Sequence, residues 1–140
     1  MSSVLEMPLV ASLTTRYAMP VLHDLNEADQ GIVLLFLPSH ARIHLETPDI
    51  AVVMPELLTF CNHSIGEIVH GAVADAVLEA FLVHLLNTPQ LPALVLLNHR
   101  QPVGIISRMR DWEDYKQRLY ALLKSTHSLP LVLPLTEGRA

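Results

Sequence analysis

Gly31-Ile-Val-Leu-Leu-Phe-Leu-Pro38 holds six apolar residues in a row, Ile32 to Leu37, with glycine before and proline after. A run of this length, without alternation, is the pattern of a strand covered on both faces. A central strand of that kind needs helices above and below it. The rest of the chain is read from there.

After Pro38 comes a loop rich in histidine and proline, Ser39 to Asp49. Ala51 to Cys61 has helical spacing, with Val53, Leu57 and Phe60 on one face and Pro55 interrupting the backbone ladder. Ile65 to Val73 reads as a second strand. Ala74 to Leu86 is rich in helix formers, with Val77, Phe81 and Leu85 forming the stripe expected to face a core. Ala93 to Leu97 and Pro102 to Ser107 form a hairpin around Asn98-His-Arg-Gln101. Asp111 is placed as an N-cap with Asp114 at N3, opening a helix that buries Trp112, Tyr115, Leu119 and Leu122. Upstream, Pro8 to Arg16 is a short helix with proline in its first turn. Tyr17 to Leu22 suits an edge strand and Asp24 to Asp29 a helical turn.

The resulting order is β-α-β-α-β-β-α behind an N-terminal extension. Right-handed crossovers then give a three-layer α/β/α domain with a central mixed sheet, the thioredoxin-like architecture. In that fold a proline bends the first long helix, the place of Pro55, and a cis-proline faces the helix start, the place of Leu91-Pro92. The isomer is not readable from sequence. A thiol oxidoreductase on this frame carries Cys-x-x-Cys where this chain has Glu46-Thr-Pro-Asp-Ile50. Redox exchange needs a thiolate attacker and a resolving thiol, so the reading is binding rather than turnover.

Composition sets the outer limits. With 140 residues, 51% of them hydrophobic, the chain has material for one core and is too apolar for disorder. Residues 1–125 are read as one domain and 126–140 as an apolar tail with two prolines. No apolar run reaches the roughly 18 residues of a membrane helix. The N-terminus has no basic region ahead of its apolar part, so no secretory signal is read there. A cytoplasmic location without membrane insertion is expected. Net charge is −5, and the basic residues of the last third alternate with Asp111, Glu113 and Asp114, which argues against nucleic acid. One cysteine excludes an intrachain disulfide and a Cys-rich zinc site. Eight histidines are scattered; His40 and His44 share a loop, and His63 and His70 lie on separate elements, so no metal is expected. Neither a phosphate-binding glycine loop nor a Gly-x-Ser-x-Gly elbow is present, and no cofactor is expected.

Leu35-Phe-Leu-Pro38, Glu46, Asp49, Val52-Val-Met-Pro-Glu-Leu57, Pro92-Ala-Leu-Val95, Gly104-Ile-Ile106 and Asp111-Trp112 with Tyr115 follow one another in a set order and spacing. In these motifs the chain resembles the HupG/HyaE family of accessory proteins for [NiFe] uptake hydrogenases. The resemblance spans roughly residues 17 to 124. It implies a thioredoxin-like fold without redox cysteines and a non-enzymatic chaperone. The implied partner is the hydrogenase small-subunit precursor, met through its twin-arginine signal peptide before export. The segment Val83 to Gln90 reads as an extension relative to the family.

Glu46, Asp49 and Glu56 flank the position of the missing thiols. Carboxylates meet paired guanidiniums bidentately, and an acidic surface steers a basic peptide. Singly, each is equally a helix cap or a solvated charge; with the resemblance they become the candidate peptide site. Leu91 and Pro92 join them, because a backbone held open beside proline pairs with an extended peptide, though Pro92 equally well only shapes a turn. Two other classes stay open. One is a dimeric scaffold bridging other hydrogenase accessory proteins; the apolar stretch Leu129 to Leu135 is open to pairing with a second copy, to covering a hydrophobic patch or to competing with a ligand. The other is a single-cysteine thiol enzyme using Cys61, with His63 as the nearest base in sequence.

Overall fold

A computed structural model describes residues 3–87 and 89–127. The stretch Leu129 to Leu135 lies outside them. The elements run α1 (Pro8–Thr15), β1 (Val21–Leu22), β2 (Ile32–Leu37), α2 (Thr47–Ile65), β3 (His70–Ala74), α3 (Ala76–Leu85), β4 (Ala93–Asn98), β5 (Gln101–Ser107) and α4 (Trp112–His127). Short 3₁₀ turns stand at Val4–Glu6 and Leu25–Glu27.

The five strands lie in the order β1-β3-β2-β4-β5. The β1–β3 and β2–β3 pairs are parallel, whereas β2–β4 and β4–β5 are antiparallel. Every residue of β2 is buried, as its unbroken apolar run requires. Its side chains alternate between two cores. Ile32, Leu34 and Phe36 join α1, α2 and α4 on one face. Val33, Leu35 and Leu37 join Leu78 and Leu82 of α3 on the other. This is the thioredoxin-like α/β/α arrangement.

Several boundaries differ from expectation. The helix α2 begins at Thr47, inside the expected loop. Pro48 and Asp49 suit a first turn, where proline loses no bond and an acid meets the helix dipole. It runs on to Ile65 and stops at Gly66, whose φ of +68° ends it. The expected strand from Ile65 therefore shortens to His70–Ala74. Pro55 does sit inside α2, and the buried face is Ile50, Ala51, Met54, Leu57 and Cys61, with Val53 and Phe60 packed at its margin.

The helix α3 is turned relative to the expected stripe. Leu78, Glu79 and Leu82 face inward, while Val77, Phe81 and Leu85 are 70%, 51% and 49% exposed. In α4 the core positions are Tyr115, Leu119 and Leu123; Trp112 lies outside the core, 37% exposed, and Leu122 is half-buried against Gly104. Asp111 precedes the helix and its carbonyl accepts the Tyr115 N–H at 2.9 Å. Asp114 reaches Arg118 at 3.0 Å instead of turning back on the cap. The edge strand shrinks to Val21–Leu22 and pairs only with Val73 and Ala74. The hairpin turn is His99-Arg100, both at positive φ (50° and 71°), the left-handed geometry of a two-residue turn, so Gln101 belongs to β5.

Candidate functional site

Four chain segments meet at one end of the sheet. Leu37 at the end of β2 pairs with Ala93 at the start of β4, and Ala93 pairs with Ser107 at the end of β5. The helix α2 starts beside them. Its first residue, Thr47, is fully buried and donates its hydroxyl to the Pro38 carbonyl at 2.8 Å.

The Leu91–Pro92 bond is cis. Pro92 itself is buried, and its carbonyl accepts the Arg108 N–H at 2.7 Å. Leu91 is half-buried, and its backbone N–H and C=O find no partner among the described residues. What proline exposes here is the residue before it.

Arg108 ties this corner together. Its backbone takes the positive φ of 68°, and its carbonyl accepts the Tyr115 hydroxyl at 2.9 Å. Burial pushes the Tyr115 hydroxyl up to about 12, so it stays a donor. The Arg108 guanidinium donates from Nε to Glu46 Oε1 at 3.0 Å, and the Met109 N–H donates to the same oxygen at 2.8 Å. The Met109 bond first, then those from Arg108, hold the Glu46 carboxyl below its ordinary range.

Glu46, Leu91 and Pro92 thus lie at one corner, joined through Arg108. Asp49 is exposed in the first turn of α2, and Glu56 is exposed two turns on. Their seven-residue spacing puts them on one face of the helix, about 10 Å apart along its axis, with Val52 between them and half exposed. The three carboxylates do not form one cluster: Glu46 is engaged, and Asp49 and Glu56 form an outward stripe.

Cys61 lies near the far end of α2, with no exposed surface. Desolvation pushes its thiol up to about 12. Burial of this kind disfavours a thiolate at neutral pH. His63 is exposed, whereas Cys61 faces the core. His40 and His44 also part company: His40 Nε2 meets the Ala74 carbonyl at 2.8 Å, and His44 Nδ1 accepts the Glu46 N–H at 3.0 Å.

Two residues of this region escape a reading by sequence. Arg108 looked like one more charge on a mixed solvated face. Glu79 looked like a break in an apolar helix, yet it is 3% exposed and accepts the N–H groups of Ser39 at 2.7 Å and His40 at 2.6 Å. The one available signal was its isolation, a single acid in ten otherwise uncharged residues of α3.

The family profile described as "Hydrogenase-1 expression protein HyaE" matches residues 9–115. The chain belongs to the HyaE family. Its relatives include the hydrogenase expression/formation protein HupG of Rhodobacter capsulatus, 36% identical over 83% of this chain and 85% of that protein. Another is HupG of Rhizobium leguminosarum bv. viciae, 31% identical over 82% and 80%. Among solved structures, a thioredoxin mutant from Halobacterium salinarum superposes with a TM-score of 0.51. It covers 79% of this chain and 93% of the thioredoxin at 18% identity, a likeness of fold alone. This HyaE-family chain is a hydrogenase expression/formation accessory protein with a thioredoxin-like fold. No helix among its described residues is long and apolar enough to cross a membrane.

Proposed function

We propose that this chain is a non-enzymatic chaperone of the hydrogenase small-subunit precursor, binding its twin-arginine signal region in the cytoplasm before export. The observation that carries this reading is the corner itself. The backbone of Leu91, without a partner among the described residues, lies at the corner where Glu46-Thr-Pro-Asp-Ile50 stands in place of paired thiols. A backbone donor and acceptor with no partner fit an extended peptide. Asp49 and Glu56 supply exposed negative charge on the adjoining helix, suited to guanidinium groups. Glu46 takes part by holding Arg108 and Met109 in place rather than as a free carboxylate. The burial of Cys61, which raises its thiol, speaks against the thiol-enzyme alternative.

Calorimetric titration with a small-subunit signal peptide at low and moderate salt tests the proposal. Saturable binding is expected, weakened when both arginines of the peptide become glutamine. In the variant carrying Glu46→Gln, Asp49→Asn and Glu56→Gln, affinity should fall and its salt dependence flatten. Unchanged affinity in that variant removes the electrostatic part. Absence of binding by the wild type removes the peptide reading altogether.

A further inference from the structure

The helix α3, Ala-Val-Leu-Glu-Ala-Phe-Leu-Val-His-Leu, has an unusual distribution of polarity. Its single charged residue, Glu79, points inward to hold the Ser39 and His40 amides. Its outward face is therefore almost wholly apolar. A helix apolar on all sides belongs in an interior, yet this one covers the sheet from outside. Between α3 and the loop after β2 runs a groove of about 450 Å³, lined by Ala76, Ala80, Val83 and Leu91 with His40, His84 and the buried Glu79 among them. Leu91 is the residue whose backbone has no partner among the described residues. The open backbone and the groove are thus one continuous surface.

From this continuity we infer that the α3 groove seats an apolar segment of the same peptide whose basic pair faces Asp49 and Glu56. The inference rests on the precursor-binding reading and adds a second recognition element to it. The pattern of charge sets the occupant. On one side of Leu91 lies a helix with two exposed carboxylates; on the other lies a groove without lysine, arginine or exposed acid. A peptide with basic residues at one end and an apolar run after them matches both halves. Helix layers on opposite faces of a sheet lie about 20 Å apart, so about six extended residues separate the two elements. The last described turn of α4 lies away from this groove. Near the end of α4, Thr126 shares a hollow with Gly31, Glu67 and Asn98, at the opposite end of the sheet.

The test uses the full chain and two peptides. One has a twin-arginine pair followed by an apolar run; the other keeps the pair but has serine through the run. The wild type should bind the first about tenfold or more tightly than the second. Ala80→Glu, at an exposed helical position, should bind both at the weaker level while keeping its melting temperature. Val83→Ser should give the same loss of discrimination by a smaller change. Equal binding of both peptides by the wild type overturns the inference and leaves the basic-pair reading standing. Equal discrimination by wild type and both variants overturns it too, placing the apolar contact elsewhere. Failure of the wild type to bind either peptide overturns both readings. A wild-type dimer in sedimentation that Ala80→Glu dissociates makes a second copy the occupant and overturns the inference as well.

Discussion

Glu46 reaches across 62 positions of sequence to hold Arg108, at 3.0 Å from Nε and 3.4 Å from Nη2. The same carboxyl receives the Met109 amide, so the turn between β5 and α4 is fastened to the start of α2 at three points. Arg108 in turn donates its backbone N–H to Pro92. An acid that sequence reading assigns to peptide recognition is first of all a latch on the corner where a peptide would lie.

Glu46→Gln should lower stability by less than about 1 kcal/mol at neutral pH, since both partners are a third exposed and water screens the pair. The folded carboxyl titrates below its ordinary value near 4.5. Its contribution is therefore full above that value and is lost as pH falls through the lowered folded value. Urea midpoints of wild type and variant should converge in that acid range. A gap that persists at the lowest pH would contradict the assignment.

Glu79→Ala leaves the buried Ser39 amide and the half-buried His40 amide without an acceptor. A loss of about 2–4 kcal/mol is expected, read from the shift in denaturation midpoint at unchanged slope. Glu79→Gln keeps one acceptor oxygen and should recover roughly half of the loss. Equal stability of wild type and Glu79→Ala would show that the loop does not depend on this side chain.

His23 and Asp75 form a second pH-dependent pair, 2.5 Å apart at the top of α3. The hydrogen bond to Asp75 is the main cause that raises the His23 imidazole above its ordinary 6.5. For Asp75, burial pushes the carboxyl up, but the bonds from His23 and the Leu78 amide outweigh it and leave it lowered. A raised histidine stabilises fully below 6.5 and loses that contribution as pH rises through the folded value. The advantage of wild type over His23→Gln should accordingly decline above pH 6.5. A constant difference from pH 5 to 9, in paired denaturation curves, would exclude the coupling.

Cys61 should react with thiol reagents only when the chain opens. Rapid modification in denaturant and slow modification of the native protein are expected; both rates rise between pH 7 and 9 as the opened thiol ionises, and their ratio stays set by the opening alone. Cys61→Ala should cost about 1 kcal/mol through the small cavity it leaves and should not alter peptide binding. Fast native labelling at neutral pH would reopen the thiol-enzyme reading.

The strand Ile32–Leu37, the helix–strand order and the lack of a Cys-x-x-Cys pair at the start of α2 were legible because each rests on local composition. The facing of α3 was not. Val77, Phe81 and Leu85 make as good a stripe as Leu78 and Leu82, and periodicity cannot choose between two apolar faces of one helix. The buried Glu79 decides it, through loop amides some 40 positions away. The start of α2 was hidden because Thr47-Pro-Asp reads equally as loop and as first turn. Leu91 and Pro92 could be named as a pair from sequence, but only the fold separates the buried proline from the half-buried leucine before it. The partner of Glu46 was invisible for the same reason: nothing local links it to Arg108.

The brevity of β1 carries over to solvent exchange. Along β3, the Val73 and Asp75 amides point toward the edge and are taken by Pro20 and Leu22. The Gly71 amide points the same way, beyond the reach of a two-residue strand, and opens on the hollow lined by Tyr17, Met19 and Leu58. In deuterated water it should lose its proton far sooner than its neighbours Ala72 and Val73, a single unprotected position inside an otherwise slow strand.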